Sequence, residues 1–305
     1  MLVYGSMIFL PLLERVSRRM LHARGFVSRF VDTPLGPVHA YDAPGQGSLP
    51  PLVILHGLGA SAAGWAPLMM RLLPGVARIV VPEFPGHGFS GAPTDTVTRT
   101  ALFDAMTVAL DALLHEPAIL VGNSLGGAFA VHYAIVRPER VRGLVLLGPT
   151  GAQAIDAELK SVTSAFDFET RAEAVRFLKR IFYPIPLFYR LAAHELPEWV
   201  ARRAAVREIA ASVTPEAMFP PESLAALGMP ILLVWGKRER MLPPSTLAWY
   251  RAHLPAHAVV EEPEGVAHVP PPAIAGRILQ FLRSCEAKKP EHRSWRSADR
   301  VMHSA

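Results

Sequence analysis

The residues best suited to chemistry in this sequence surround Ser124, in the segment Gly122-Asn123-Ser124-Leu125-Gly126. Residues 118–121 form a short apolar run that predicts a buried strand, and the pattern from Leu125 to Arg137 predicts a helix. A Gly-x-Ser-x-Gly motif between a strand and a helix predicts a sharp turn that exposes the serine oxygen. Free N–H groups at the start of that helix would face the group under attack. The motif therefore predicts a nucleophilic serine for acyl chemistry.

A nucleophilic serine needs a base to take its proton and an acidic group to orient that base. His268 is the predicted base, because it lies between the strand-like residues 258–261 and a C-terminal helix around residues 274–283. Glu239 is the predicted acid, because it is the only carboxylate in the loop after the strand-like residues 231–235. The chain order serine, acid, histidine is typical of hydrolases that carry this turn.

Alternatives to this base and acid stay open at the level of sequence. His56 is a second candidate for the base, although it precedes Ser124, and a histidine in this type of loop more often braces the backbone. Glu239 could instead be an exposed residue that pairs with a neighbouring arginine. Asp156, which follows a strand-like segment over residues 141–147, is the second choice for the acid.

The donors that stabilise an oxyanion are predicted from two loops. The apolar residues 51–55 predict another buried strand, and His56-Gly57-Leu58-Gly59 follows it. Glycines let a backbone approach a ligand closely, so we predict the N–H groups of Leu58 and Leu125 as the two donors. Asn123 is a candidate to bind a polar group of the substrate.

Strand-like and helix-like patterns alternate along most of the chain, which predicts an α/β fold, a mostly parallel sheet with helices on both faces. Residues 26–31 and 38–42 predict an opening hairpin. The alternation stops in the middle of the chain, where residues 152–228 are helix-like and rich in aromatic side chains. We predict a helical cap there, between two core segments at residues 26–151 and 229–285.

Five motifs in this order make the span from about residue 26 to residue 283 resemble the α/β-hydrolases with a serine nucleophile. They are His56-Gly57-Leu58-Gly59, Pro85-Gly86-His87-Gly88-Phe89-Ser90, Gly122-Asn123-Ser124-Leu125-Gly126-Gly127, Trp235-Gly236-Lys237-Arg238-Glu239 and His268. The resemblance implies the α/β-hydrolase fold, a serine–acid–histidine triad and an acyl-enzyme intermediate, with no metal or organic cofactor. Relatives usually carry aspartate where this chain has Glu83 and Glu239.

The resemblance implies that the helical cap lies over the nucleophile. The aromatic side chains within residues 152–228 therefore imply an apolar pocket for substrate. We expect only some of the cap aromatics to touch substrate, since others form the core of the cap. The candidates are Phe166, Phe182, Tyr183, Phe188 and Tyr189. The predicted function is hydrolysis of carboxylic esters with apolar, short-to-medium acyl groups, which includes lipid-like esters.

Two other functions stay open. The segment Gly122-Asn123-Ser124 is similar to the turn of hydrolases that cleave carbon–carbon bonds in ring-cleavage products, although Val269 stands where those enzymes often carry tryptophan. The second alternative is a protein that keeps the fold and binds a ligand without catalysis. The replacement of the usual aspartate by Glu239 is the one feature that favours it.

The composition limits the class of protein. The chain has 305 residues, and half of them are hydrophobic, which is enough for a large buried sheet. The net charge is +5, but no nucleic-acid motif accompanies it, so we expect no nucleic-acid partner. The 12 histidines include no spacing typical of metal ligands, and we expect no metal site. The single Cys285 excludes an internal disulfide and fits a reducing, cytoplasmic compartment.

The first 25 residues are apolar and then basic, without the charge order of a secretory signal peptide. Leu10, Leu13, Val16 and Met20 predict one apolar face of a helix with arginines opposite. Such a helix would either contact a membrane surface peripherally or cover the substrate entrance of the protein itself. Residues 286–305 are polar and basic, which predicts a flexible tail.

Overall fold

An eight-stranded β-sheet runs through the protein in the computed structural model, which describes residues 7–93 and 97–287. The spatial order of the strands is β1-β2-β4-β3-β5-β6-β7-β8. The strands are β1 Val27–Val31, β2 Val38–Pro44, β3 Leu52–Leu55, β4 Arg78–Pro82, β5 Ala118–Asn123, β6 Val141–Leu147, β7 Ile231–Val234 and β8 Val259–Glu261. The predicted opening hairpin is confirmed, since β1 and β2 pair antiparallel.

From β4 to β8 all neighbouring strands are parallel, and β2 joins them by antiparallel pairing with β4. Strands β3, β5 and β7 are buried along their whole length, which explains their mostly apolar sequences. Alternate side chains enter different cores: Val53 and Leu55 lie in one hydrophobic cluster, Leu52 and Ile54 in another. Helices therefore cover both faces of the sheet, as predicted.

Twelve α-helices are present in the described part of the chain. The helices are α1 Phe9–Ala23, α2 Ala62–Leu72, α3 Arg99–Leu113, α4 Leu125–Val136, α5 Asp156–Thr163, α6 Arg171–Ile181, α7 Leu187–Ala192, α8 Leu196–Ala201, α9 Ala204–Ala211, α10 Pro221–Ala225, α11 Pro244–His253 and α12 Ala275–Ala287. Helix α12 extends beyond residue 285, so the first two residues of the predicted tail are helical. The rest of that tail, residues 288–305, lies outside the described residues, as do residues 1–6.

Helices α5 to α10 lie between β6 and β7 and form the cap segment, residues 152–228. Most of their apolar side chains pack into a third hydrophobic cluster, which also includes Leu10 of α1 and Met241 of the core. The cap segment therefore has a core of its own, and the N-terminal helix contributes to it.

Helix α1 buries only part of its predicted apolar face. Its buried residues are Leu10, Ser17 and Leu21, whereas Val16 and Met20 are 52% and 39% exposed. Helix α1 has apolar residues on two sides, and sequence alone does not say which side meets the protein. Within residues 7–93 and 97–287, no helix is both long and apolar enough to cross a membrane.

Candidate active site

Ser124 lies on the sharp turn between β5 and α4, with φ 54° and ψ −117°. It is the one non-glycine residue with positive φ in the described part of the chain. The turn is tight on both sides of the serine: a Cβ at Gly122 would lie 2.3 Å from the Gly126 carbonyl oxygen, and one at Gly126 would lie 2.3 Å from the Leu55 carbonyl oxygen. Such strain at a single side chain is typical of functional sites.

His268 and Glu239 form a buried pair at the carboxyl edge of the sheet. His268 Nδ1 lies 2.8 Å from Glu239 Oε2, and the second carboxylate oxygen accepts hydrogen bonds from the N–H groups of Met241 and Leu242, at 2.6 and 3.0 Å. Burial raises the pKa of Glu239, but attraction to His268 and these hydrogen bonds outweigh it, and the pKa lies below its ordinary value. The carboxylate is therefore held in its ionised form against the imidazole.

The glutamate fits this position because Gly148 leaves space beside it. Gly148 follows β6 with φ 52°, and a Cβ there would lie 3.1 Å from Glu239 Oε2 and 3.4 Å from His268 Nδ1. A side chain at this position would push against both members of the pair. Gly148 is a site residue that the sequence analysis missed, and a glycine directly after a buried strand was the available signal.

The loop after β3 passes beside the nucleophile. A Cβ at Gly57 would lie 3.3 Å from Ser124 Cβ, and the next residue, Leu58, lines the same pocket as Ser124 and Leu125. In the described part of the chain, the backbone N–H groups of Leu58 and Leu125 make no hydrogen bond. Leu125 is the first residue of α4, so its N–H has no partner within the helix. Both groups are thus available to a ligand.

His56, the second candidate for the base, has hydrogen-bond partners at both of its ring nitrogens. His56 Nδ1 lies 2.8 Å from the Gly57 carbonyl oxygen, and Nε2 accepts a hydrogen bond from the Phe84 N–H at 3.1 Å. Burial lowers the pKa of His56. His56 therefore has the bracing geometry, while Asp156, the second choice for the acid, is exposed in the first turn of α5.

The pocket next to Ser124 lies between the core and the cap segment, and its walls are mostly apolar. Phe166 lines it, as predicted. The other lining residues are Leu58, Arg99, Leu125, Thr150, Gly151, Ala152, Ala154, Glu158, Leu159, Val162, Thr163, Ile209, Ala210, Val213, Met218, Met241, Leu242, Pro243 and Thr246. Walls of this kind favour a ligand with a hydrocarbon part.

Four other predicted pocket aromatics lie elsewhere. Phe182 and Tyr189 stack with ring centroids 5.0 Å apart, Phe188 contacts Tyr189 and Phe9 of α1, and all three belong to the cap core. Tyr183 is 47% exposed, with the Arg238 guanidinium over its ring. The prediction failed because aromatic residues at helical spacing serve a cap core and a pocket equally well.

The side-chain amide nitrogen of Asn123 binds backbone carbonyl groups, whereas the sequence suggested that it binds substrate. It is buried, and its side-chain nitrogen donates hydrogen bonds to the carbonyl oxygens of Leu147 and His268, both at 2.8 Å. Both N–H bonds of the amide are used in this way. Asn123 therefore ties the histidine loop to the turn that carries Ser124.

Arg180 of the cap segment is a second residue that the sequence analysis missed. Its guanidinium donates to the carbonyl oxygens of Arg240 and Met241, each at 3.1 Å, in the loop that carries Glu239. The backbone N–H of Val269 also donates to the Ile181 carbonyl oxygen at 2.8 Å. The end of α6 thus contacts the acid loop and the histidine loop, contacts that no local sequence pattern could indicate.

The comparisons with known proteins agree with this architecture. The family model of the α/β-hydrolase fold matches residues 50–269, and the chain belongs to this family. Pimeloyl-[acyl-carrier protein] methyl ester esterase from Xanthomonas campestris pv. campestris (strain B100) is 30% identical over 252 residues, which cover 79% of this chain and 96% of that protein.

A shorter likeness involves 2-hydroxymuconate semialdehyde hydrolase from Pseudomonas sp. (strain CF600). It is 43% identical over 104 residues, which are 33% of this chain and 37% of that protein. Among solved structures, a bacterial membrane phospholipase A is similar in fold, with a TM-score of 0.78 and 24% identity, and the match covers 91% of this chain and 92% of that one. The relatives thus include esterases and other hydrolases.

Proposed function

We propose that the protein is a serine hydrolase that cleaves carboxylic esters, with Ser124 as nucleophile, His268 as base and Glu239 as the acid that orients it. The observation that carries the proposal is the buried Glu239–His268 pair at the same sheet edge as a strained, pocket-lining serine. The relative that spans most of this chain is a methyl ester esterase, which supports ester chemistry.

In the proposed reaction His268 takes the Ser124 hydroxyl proton while Oγ attacks the ester carbonyl carbon. The carbonyl electron pair moves to oxygen, where the N–H groups of Leu58 and Leu125 stabilise the negative charge. The C–O bond then breaks, and the alcohol leaves with the proton from His268. Water, activated by the same histidine, attacks the acyl-enzyme, releases the carboxylic acid and restores Ser124.

The test uses 4-nitrophenyl esters from acetate to laurate and an activated phosphonate that labels reactive serines. We expect the wild type to turn over the shorter and medium esters and to gain one phosphonyl group by intact-mass measurement. Ser124→Ala should lose both properties, with a fall in kcat on the order of 10⁴-fold or more. Ser223→Ala, in the first turn of α10, is the matched control and should behave like the wild type. Wild-type turnover by Ser124→Ala would contradict the proposal.

Carbon–carbon bond hydrolysis of ring-cleavage products is the second candidate, favoured by the local likeness to 2-hydroxymuconate semialdehyde hydrolase. The position of Asn123 argues against it, because both amide N–H bonds are already used by backbone carbonyls. Assay of a ring-cleavage product beside the esters separates the two functions. A wild type that turns over neither substrate would instead support a ligand-binding role.

We further propose that α1 and α7 lie on the surface of an anionic membrane, in a protein located in the cytoplasm. Ile8, which precedes α1, and Leu12, Val16 and Met20 of that helix form an exposed apolar stripe at every fourth residue. Leu187 and Leu191 of α7 are also exposed, and α7 contacts α1 through the Phe188 and Phe9 rings. The exposed Arg15 and Arg19 flank the stripe and match anionic headgroups. The described residues that line the Ser124 pocket include none from α1.

Flotation with lipid vesicles tests the membrane proposal. We expect binding to phosphatidylglycerol-containing vesicles, weaker binding to pure phosphatidylcholine, and a loss of at least about fivefold in Leu12→Ser with Val16→Ser. Val108→Ser, a comparably exposed apolar position on α3, is the control and should bind like the wild type. Equal recovery of the wild type with and without vesicles would overturn the proposal.

A further inference from the structure

The pocket that contains Ser124 also contains a cationic side chain. Arg99, the first residue of α3, lines it beside apolar residues of the cap segment. Its guanidinium carbon lies 4.6 Å from the centroid of the Phe103 ring and 5.2 Å from that of the Phe219 ring. These contacts restrict the plane of the guanidinium and keep its position fixed relative to the pocket.

Among the side chains that the structure describes, which do not include those of residues 94–96 and 216, no carboxylate oxygen lies within 4.0 Å of the Arg99 guanidinium nitrogens. Its side chain donates a hydrogen bond to the Ala217 carbonyl oxygen. Glu208 of α9 is engaged with the backbone, where it accepts a hydrogen bond from the Val97 N–H at 3.2 Å. The arginine therefore keeps donors in excess of its partners.

Burial lowers the pKa of Arg99 below its ordinary value, yet an arginine stays protonated in proteins at neutral pH. A partly buried cation without a counter-ion is unfavourable for stability. Hydrophobic residues would fill this wall of the pocket at lower cost. An anion supplied by a ligand would remove the disadvantage.

We propose that Arg99 binds an ionised carboxylate of the substrate, remote from the ester carbonyl that Ser124 attacks. The inference rests on the proposed function and names the substrate class for that site: an ester with a hydrocarbon part and a second, free carboxylate. The hydrocarbon part would contact apolar walls such as Val213 and Met218, while the guanidinium forms charge-assisted hydrogen bonds with the carboxylate.

The experiment compares matched methyl esters at neutral pH. One series contains monomethyl esters of dicarboxylic acids from succinate to sebacate, and the other contains the neutral dimethyl esters of the same acids. A third series consists of esters that carry the free carboxylate on the alcohol half. The anionic series that the wild type prefers shows whether the acyl half or the alcohol half of the ester lies near Arg99. We expect wild-type kcat/KM to favour one anionic series by about tenfold or more at its best chain length.

Arg99→Met should remove this preference by raising KM for the anionic esters, with the neutral esters hydrolysed within about threefold of the wild-type rate. The neutral esters report whether the variant folds. Arg99→Lys should retain part of the preference, since it keeps the charge without the planar donor geometry. Arg207→Met is the matched control, because Arg207 is exposed on α9 and outside the pocket lining. It should keep the full preference.

An equal fall in kcat/KM for the anionic and the neutral esters in Arg99→Met would overturn the inference and assign Arg99 a purely structural role. Wild-type rates on both anionic series that equal the rate on the neutral esters would overturn it as well. If no ester is hydrolysed, the proposed function fails, and calorimetric binding of the half-esters to Ser124→Ala still tests Arg99. Binding that is weaker in the double variant Ser124→Ala with Arg99→Met supports the inference, and equal binding rejects it.

Discussion

The His39–Glu83 and His268–Glu239 contacts each join a buried histidine to a buried glutamate. They differ in whether the second ring nitrogen of the histidine has a hydrogen-bond partner. His39 Nδ1 lies 2.9 Å from Glu83 Oε2, and its Nε2 lies 2.9 Å from Ser28 Oγ. His268 has the same contact to Glu239, but in the described part of the chain its Nε2 makes no hydrogen bond. Both ring nitrogens of His39 therefore have partners, whereas Nε2 of His268 is available for proton transfer.

The two glutamates differ in a related way. Glu83 accepts hydrogen bonds from the N–H groups of Ala62 and Phe89, at 2.9 and 2.7 Å, and so connects the start of α2 to the loop after β4. The carboxylate of Glu239 also accepts two backbone hydrogen bonds, but its partner is a histidine at the sheet edge where Ser124 lies. A glutamate–histidine contact alone therefore does not define a catalytic pair; the free ring nitrogen and a nearby nucleophile do.

The largest difference is expected when each histidine is removed. His268→Ala should lower kcat for 4-nitrophenyl esters on the order of 10⁴-fold, because His268 accepts the serine proton in the proposed mechanism. His39→Ala should leave kcat within about fivefold but lower the free energy of unfolding by about 3 kcal/mol, because Glu83 loses a buried partner. Steady-state kinetics and urea unfolding of both variants check this. Similar kcat values for the two variants would remove the functional distinction between the pairs.

A smaller difference is expected for the glutamates. Glu239→Gln should lower kcat on the order of 10² to 10⁴-fold, since an amide would no longer stabilise the imidazolium that the proposed mechanism forms when Ser124 is deprotonated. Glu83→Gln should change mainly the melting temperature. The measurement is kcat together with thermal unfolding for each variant. A Glu239→Gln enzyme with wild-type kcat would assign the acid role to another residue.

The smallest expected effect is on the pH dependence of stability. The pKa of Glu239 is lowered in the folded protein from its ordinary value of 4.5, so the unfolded state binds more protons in acid. The contribution of the ionised Glu239 to the free energy of unfolding is complete above the ordinary pKa of 4.5 and is lost as pH falls through the lower pKa of the folded protein. We therefore expect the difference in unfolding free energy between wild type and Glu239→Gln to shrink below pH 4.5. A constant difference between neutral and acid pH would contradict this sign.

The sequence predicted the parts of the site that depend on local patterns. Ser124, His268 and Glu239 follow short apolar strands, and the carboxyl ends of parallel strands meet at one edge of a sheet. Strand β6 was predicted with both of its bounds, since its apolar residues lie between a charged segment and a glycine-containing one. The catalytic roles of the three residues stay a prediction that the kinetic experiments test.

Features set by tertiary contacts were not predictable. The cap aromatics such as Phe188 and Tyr189 have helical spacing, and only packing assigned them to the cap core. Asn123 and Arg180 act on backbone carbonyls of segments far away in the sequence, which leave no local pattern. The start of α1 is held by Glu195 of the cap segment, whose carboxylate accepts hydrogen bonds from the backbone N–H groups of Ile8, Phe9 and Leu10.

The contacts of Arg180 connect the position of α6 to the loops that carry Glu239 and His268. Any outward movement of α6 breaks its two hydrogen bonds to the loop of Glu239, and the Val269 contact to Ile181 breaks with them. The packing of α6 and the alignment of the Glu239–His268 pair are thus linked, because a displaced α6 leaves the acid loop and the histidine loop less constrained. A ligand that favours the packed position of α6 also favours the aligned pair, and by thermodynamic reciprocity the aligned pair favours that position of α6.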